Sequence, residues 1–188
     1  TLIELLVVTG IIIIVTSVVL VNSGQLGGQF ILSNFAYDMA LSIRQAQTYG
    51  ISVRRYGSTF QIAYGMHFDT LTNPNITYIF FADVNNNNVY DAGGNEDVQI
   101  YDILRGFRIN TLCATQTITE VCGLTELDIL FERPDPDAWI SKNDVSCDPA
   151  SLLLANCQAS ARIEIISPRG NIKSVFVPAN GQISVLSI

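Results

Sequence analysis

The sequence predicts an α+β protein: a long N-terminal hydrophobic α-helix, broken near residues 22–29, packs on a C-terminal antiparallel β-sheet domain of about seven or eight strands. Three observations predict this class. An apolar run of membrane length opens the chain, an amphipathic helical pattern covers 30–50, and runs with a two-residue period follow Ser52. The chain therefore divides into a hydrophobic membrane segment, 1–29, and a globular head, 30–188, of the size of one domain.

The opening run carries no charged residue between Leu5 and Val21. As an α-helix, about 20 residues span about 30 Å, which is the thickness of the hydrocarbon core of a bilayer. A cleaved secretory signal needs basic residues before the run and a small-residue cleavage site after it. Here the first basic residue is Arg44 and no A-x-A motif follows. The pattern favours a single-pass anchor, or a helix that leaves the membrane to pack against copies of itself.

Glu4 is the one carboxylate inside this apolar segment. A charge in apolar surroundings costs several kcal/mol unless it is paired. Glu4 could lie at the headgroup level in the first helical turn, where a negative charge suits the helix dipole. Alternatively, it pairs with a cation after the helix leaves the lipid, and the nearest candidate is the N-terminal ammonium, at Thr1, of a neighbouring copy.

Three glycines, Gly24, Gly27 and Gly28, follow the apolar run. Each costs a helix about 1 kcal/mol relative to alanine, so the sequence predicts a helix break here. The apolar stripe resumes over 30–50 with a period near 3.6, and Gly50 fits the position just after a helix end.

From Ser52 onward the chain is predicted to be β-structure with close spacing, so antiparallel connections dominate. Trp139 lies in a Pro-rich surface loop that begins at Pro134, and we expect it either to cover the core beneath the loop or to contact a partner. The predicted strands are Thr59–Phe68, Thr77–Ala82, Val98–Leu104, Phe107–Leu112, Leu127–Glu132, Ala161–Ser167, Lys173–Pro178 and Gln182–Leu186.

Charge and composition exclude several function classes. The formal net charge is −7, which argues against nucleic-acid binding because that needs a basic surface. His67 is the only histidine and no glycine-rich phosphate loop follows a strand, so we do not expect an enzyme.

Four cysteines, Cys113, Cys122, Cys147 and Cys157, all lie in the head. Their spacings lack the C-x-x-C pattern of a zinc site, which favours disulfides and an extracytoplasmic domain. Four cysteines allow three connectivities, of which pairing of sequence neighbours, Cys113–Cys122 and Cys147–Cys157, closes two loops of about ten residues.

The stretch 83–97 is rich in oxygen-bearing side chains at alternating positions, as calcium requires of a loop that folds around it. Position 6 of an EF-hand-like loop is Asn88 where glycine is usual, and position 12 is Gly94, with the next acids two and three residues later. The alternative is an Asn/Gly-rich hairpin loop without a metal. The predicted structural Ca²⁺ ligands are Asp83, Asn85, Asn87, the Val89 carbonyl, Asp91 and Glu96.

The first eight residues, Thr1 to Val8, and the Ile/Val run after them resemble the mature N-terminus of type IV pilins and of the pseudopilins of type II secretion systems. The family pattern carries one more residue, a Phe before the Thr. The pattern of 35–53 and the ending Gly181 to Val185 are similar to those of H-type pseudopilins.

The resemblance implies a prepilin cleaved by a prepilin peptidase and methylated at its N-terminus. It also implies that Glu4 pairs with the N-terminus of an adjacent subunit during assembly. The expected partners are identical subunits in a helical filament, the bacterial inner membrane before assembly, and the assembly machinery. The expected function is that of a structural subunit of an extracellular filament. The alternatives are a minor pseudopilin of a type II secretion system and a membrane-anchored, calcium-dependent adhesive or binding module.

Overall fold

The computed structural model describes residues 1–60, 62–71, 76–148 and 156–187, and the side chains of all of these except 21–27. Within these described residues, the helix α1 spans Leu2–Ile51 and is followed by twelve strands. The strands are β1 (Arg55–Tyr56), β2 (Thr59–Phe60), β3 (Ala63–Asp69), β4 (Thr77–Asp83), β5 (Asp97–Asp102), β6 (Arg108–Thr115), β7 (Glu120–Cys122), β8 (Glu126–Phe131), β9 (Ala138–Lys142), β10 (Ser160–Ile166), β11 (Ile172–Pro178) and β12 (Ser184–Ser187).

The α+β class is confirmed, but the predicted helix break is wrong. α1 runs without interruption through Gly24, Gly27 and Gly28. Glycine weakens a helix but keeps the backbone N–H group that the i→i−4 hydrogen bond needs, whereas proline removes it. The first proline of the chain is Pro74, so no proline interrupts the hydrogen bonds of α1, and a helix that has formed on both sides of the glycines continues through them.

The strands form two five-stranded antiparallel sheets and one short hairpin. The sheet orders are β12-β11-β10-β6-β7 and β5-β4-β3-β8-β9, and the hairpin is β1-β2. Every strand pair is antiparallel, as predicted. The predicted count of seven or eight strands is too low, because β1, β7 and β9 were not expected and the run 59–68 is divided into β2 and β3.

The second half of α1 supplies the core with a stripe of side chains at helical spacing. Leu32, Ala36, Met39, Ile43 and Ala46 are at most 2% exposed. The stripe packs against both sheets in one continuous cluster. Gly50 does not follow the helix end, since α1 ends at Ile51. Its role is close approach instead, because a Cβ at Gly50 would lie 2.2 Å from the carbonyl oxygen of Phe131.

The β5-β4-β3-β8-β9 sheet has two different faces. On the inner face, toward α1, Tyr64, Met66 and Phe68 of β3 belong to the main core. On the outer face, alternate residues form a smaller apolar cluster with Ala63, Phe81 and Leu130 at its centre. Trp139 is half-buried against this cluster, in β9 and not in a loop, which agrees with the expectation that it covers the core.

Candidate functional site

The first half of α1 has an apolar surface that the rest of the described chain leaves uncovered. Leu2–Leu20 has a mean hydropathy of 2.7 over 19 residues, and none of that window is buried. Its large side chains are exposed on every side of the helix, from Leu2 at 84% to Leu20 at 72%. A helix that is apolar all round is typical of a membrane span or of a buried core. The helix is long and apolar enough to be a membrane anchor or a signal sequence.

The hydroxyl groups inside this segment are satisfied by the helix itself. Thr9 Oγ1 donates to the Leu6 carbonyl at 3.0 Å, Thr16 Oγ1 to the Ile12 carbonyl at 2.7 Å, and Ser17 Oγ to the Ile13 carbonyl at 2.7 Å. Side-chain hydroxyls that bond backward along the helix carry little desolvation cost in an apolar medium. These three residues therefore do not conflict with burial of the segment in lipid or protein.

Glu4 and the amine of Thr1 lie together at the start of α1. The Thr1 ammonium donates to Glu4 Oε2 at 3.1 Å, and the two side chains are 82% and 78% exposed. An ion pair this exposed is weak in water, because solvent competes for both charges. The structure thus brings the two predicted assembly residues together within one chain, and their pairing between neighbouring chains remains a prediction.

The loop 83–97, between β4 and β5, is organised around two buried carboxylates. Asp83 is 1% exposed and accepts hydrogen bonds from the backbone N–H groups of Asn87 at 3.1 Å and Asn88 at 2.9 Å. Glu96 is also 1% exposed and accepts from Val84 N–H at 3.1 Å. Its second oxygen accepts from Asp91 N–H at 2.9 Å. Glu96 therefore closes the base of the loop. It lies two residues after position 12 of an EF-hand-like loop, and in a hairpin it can still reach the first residues of the loop.

The asparagines fold the loop back on Asp91. The side-chain amides of Asn85 and Asn87 each donate to Asp91 Oδ2 at 2.7 Å, while their oxygens each accept a backbone N–H at 3.1 Å, from Asn87 and Val89 respectively. Asn88 has φ 63°, in the left-handed region where asparagine is tolerated, and takes the place of the usual glycine. The predicted ligand residues are thus gathered in one loop.

Burial raises the pKa of Asp83 against the lowering effect of its backbone hydrogen bonds, and the charge of Asp91 adds to the rise. Burial likewise raises the pKa of Glu96. A bound cation would relieve both effects, and the donor set of carboxylates and amide oxygens is one that calcium accepts.

Two observations limit this fit. Asp91 faces amide nitrogens, so Asn85 and Asn87 would have to rotate to present oxygen. Among the described residues, three or more acidic, thiol or imidazole side chains bring their ligand atoms within 4.8 Å of one another at Cys113, Glu120 and Cys122, outside this loop. The two sulfurs of that group are joined in a disulfide. Calcium in the 83–97 loop remains a prediction.

Both disulfides pair sequence neighbours. Cys113–Cys122 joins directly opposite positions of β6 and β7, and Cys147–Cys157 closes the excursion after β9, of which 149–155 lie outside the described residues. The segment before Cys147 supports the Asn-rich loop, since Ser146 Oγ donates to the Asn87 carbonyl at 2.7 Å and Ser141 Oγ to the Asn88 carbonyl at 3.1 Å.

Sequence reasoning missed a polar cluster on the outer sheet face. His67 Nδ1 lies 2.7 Å from Asp128 Oδ1, and the His67 ring lies against Tyr90 with ring centroids 4.5 Å apart. Burial lowers the pKa of His67, but the hydrogen bond and charge of Asp128 outweigh it and the net pKa is raised. The sequence offered one indication of this cluster: His67 in β3 and Asp128 in β8 are polar residues at outward positions of otherwise apolar strands.

A cavity of about 600 Å³ opens beside this cluster. Glu126 and Asp144, which contact each other, border it on the β8 side, and Ile79, Tyr90 and Ile100 border it on the β4–β5 side.

No protein-family model matches this chain, and neither the curated proteins nor the solved structures contain a significant match to it.

Proposed function

We propose that this protein is the structural subunit of an extracellular filament of the type IV pilus kind, in which the first half of α1 forms the filament core. One observation carries the proposal: an apolar surface of membrane length, uncovered by the described chain, is continuous with the part of α1 that packs in the core of the head. A helix of 50 residues is about 75 Å long, so the head is held well away from the apolar end.

In a plain membrane anchor, Glu4 would serve only the start of the helix, where a negative charge suits the helix dipole. A helix that packs against copies of itself also needs a feature that sets its axial position, and Glu4 can supply it. The contact of Glu4 with its own Thr1 amine is exposed and weak. It is therefore exchanged for the amine of a neighbour at little cost when subunits pack side by side.

In this mechanism the subunit waits in the inner membrane with its first half in lipid. Assembly transfers the helix into a bundle of identical helices, where burial of aliphatic surface stabilises the core by about 25 cal/mol per Å². The pairing of opposite charges inside this apolar bundle is stronger than in water and fixes the register. The proposal is structural and assigns no catalytic role, and it requires no break in α1.

The test is Glu4→Gln in cells that carry the assembly machinery, with fibres observed by electron microscopy and the subunit measured in the membrane fraction. Asp38→Asn is the matched control, because Asp38 is an exposed acid in the second half of the same helix. We expect Glu4→Gln to leave the amount in the membrane unchanged and to abolish fibres, while Asp38→Asn forms them normally. Normal fibres from Glu4→Gln would overturn the register mechanism, and a wild-type chain that forms no fibres would overturn the proposal.

A further inference from the structure

We propose that the cavity on the outer face of the β5-β4-β3-β8-β9 sheet is a binding pocket for a primary ammonium group on a short apolar stem, such as a lysine side chain or an amino sugar. This cavity is called the acidic pocket below. It lies on the face of the sheet that points away from α1, and ligand binding there does not require filament formation.

The strand register builds the pocket in two neighbouring rows. The first row runs across β5, β4, β3 and β8, where Ile100 pairs with Ile79, Ile79 with His67, and His67 with Asp128. It gives an apolar floor that ends in an imidazole. The second row is acidic: Asp69 of β3 lies directly opposite Glu126 of β8.

His67 supplies a hydrogen-bonding group that the protein leaves unused. Its side chain is 10% exposed, and Nδ1 is taken by Asp128 at 2.7 Å. The other ring nitrogen, Nε2, makes no hydrogen bond within the described residues and is not sealed from solvent, and the ring borders the cavity. In the neutral imidazole with its proton on Nδ1, facing Asp128, Nε2 is an acceptor, which fits an ammonium donor.

The charged residues that border the pocket are acidic. None of the described residues that border it is Lys or Arg, and five of them are acids. Tyr90, whose ring lies tilted against that of His67, adds an aromatic face of the kind that attracts organic cations. The acids are Asp69, Asp91, Asp102, Glu126 and Asp144.

The spacing of these acids favours an organic cation over a bare metal ion. Calcium needs six to eight oxygens at close range, whereas the described part of the chain has no group of three acidic side chains here with ligand atoms within 4.8 Å of one another. Carboxylates spread around about 600 Å³, with isoleucine and tyrosine between them, match a ligand that is charged at one end and apolar along its stem.

The fold holds like charges together at this place at a cost in stability. Asp69 and Glu126 are direct cross-strand neighbours, and like charges in this position destabilise a sheet. Asp144 is held against Glu126 by a turn in which Asn143 and Asp144 both have positive φ, 49° and 57°. Asn143 Oδ1 fixes that turn by accepting hydrogen bonds from Thr125 N–H at 3.0 Å and from Thr125 Oγ1 at 2.9 Å. An arrangement that costs stability is explained if a cation neutralises it.

The test uses the full chain in detergent and the single histidine as its reporter, because His67 is the only histidine and its imidazole NMR signals need no assignment. The probes are N-acetyl-lysine methylamide and glucosamine. N-acetyl-norleucine methylamide, which has the same stem without the ammonium group, is the control ligand. We expect saturable shifts of the His67 signals with a Kd on the order of 1 mM for at least one ammonium probe, and none for the norleucine control.

The double variant Glu126→Gln/Asp144→Asn tests the acidic wall, and Asp135→Asn, an exposed acid that does not border the cavity, is the matched control. We expect the double variant to bind at least about tenfold more weakly, as loss of charge-assisted hydrogen bonds does, and to melt no lower than the wild type. A response to the lysine probe alone identifies a peptide ligand, and a response to glucosamine alone identifies an amino sugar. Equal shifts with the neutral control, a response to Ca²⁺ alone, or unchanged binding by the double variant would overturn the proposal. Normal fibres from the Glu126→Gln/Asp144→Asn variant would show that loss of ligand binding leaves the filament mechanism unaffected.

Discussion

The two faces of the β5-β4-β3-β8-β9 sheet are built from the same strands by different physical means. Along β3, the inner residues Tyr64, Met66 and Phe68 are at most 2% exposed and contact α1 and the other sheet. The outer residue between the last two, His67, is 8% exposed and is held by a buried carboxylate. The inner face is thus stabilised by apolar area, which tolerates small shifts, and the outer face by directional polar contacts, which depend on pH and on ligands.

The covering of the two faces differs as well. One continuous helix, α1, packs on the inner face. The outer face is covered by separate pieces: the Asn-rich loop places Tyr90 on His67 and Phe81, and β9 places Trp139 on the apolar cluster. Tyr90, Asp91 and Ala92 of the loop border the acidic pocket. We expect the inner face to set the stability of the head and the outer face to set its response to conditions.

The largest predicted effect is on the inner face. Phe68→Ala removes a ring that is 0% exposed and leaves a cavity, which costs about 3–5 kcal/mol of unfolding free energy. Ile79→Ala is the matched change on the outer face, where the side chain is only half-buried, and we expect a cost of about 1 kcal/mol or less. Urea unfolding of the full chain in detergent, followed by the fluorescence of Trp139, measures both. Equal costs for the two variants would contradict the comparison.

The difference between the faces also explains what the sequence could predict. Alternation in the runs 59–68 and 127–132 marks the inner residues, because apolar burial is visible residue by residue. The contact of His67 with Asp128 depends on the register of two strands that are 61 residues apart, which no local pattern encodes. β7 was missed because it has three residues, and β9 because the proline-rich stretch before it indicates a loop.

Within the candidate sites, the sequence predicts which residues lie near one another in one loop, but not the direction in which each side chain points. The spacing of Asp83, Asn85, Asn87 and Asp91 predicts one loop, and the structure gathers them through bonds spanning six residues or fewer. Which atom each asparagine turns toward Asp91 depends on the whole hydrogen-bond network. The predicted break in α1 was wrong for a different reason. The local effect of the glycines was given more weight than the cooperativity of a 50-residue helix.

The second prediction concerns the charge pair that holds the outer face. Asp128→Asn keeps the shape but leaves the buried His67 imidazolium without a counter-charge whenever it is protonated. We expect a loss of about 1 kcal/mol at pH 8 and of about 3–5 kcal/mol at pH 5.5, because lower pH favours the imidazolium. Asp102→Asn, at an exposed acid bordering the same cavity, should change stability by about 0.5 kcal/mol or less at both pH values. Urea unfolding at the two pH values decides, and a loss that does not grow at low pH would exclude the charge pair as the cause.

The third prediction separates a metal-binding loop from a purely structural one. If the 83–97 loop binds calcium, the folded chain gains about 2.7 kcal/mol at a free concentration 100 times the Kd, and the melting temperature rises accordingly. Asp91→Ala removes the carboxylate that faces Asn85 and Asn87 and should abolish the rise, whereas Asp135→Asn should retain it. Melting curves with calcium and with chelator measure this, and coincident wild-type curves would show a loop that needs no metal.

The smallest expected effect tests the pH response of the acidic wall. Burial and the contact with Asp144 raise the pKa of Glu126 to about 7, Asp69 adds to the rise, and the charge of His67 opposes it. Because the folded pKa lies above the usual value of about 4.5, the folded state holds this proton more tightly. The resulting stability is present below about pH 4.5 and is lost as pH rises through 7.

Glu126→Gln should therefore match the wild type near pH 5 and exceed its stability at pH 8 by about 1 kcal/mol, a figure reduced for solvent screening of this half-buried group. The control Asp137→Asn, at an exposed acid outside the cavity, should follow the wild-type profile throughout. Urea unfolding at intervals between pH 5 and pH 8 measures the two profiles. The charge of Glu126 also raises the pKa of His67, so the substitution changes the His67 contribution as well. A Glu126→Gln profile parallel to that of the wild type would mean that the outer face responds to pH through His67 and Asp128 alone.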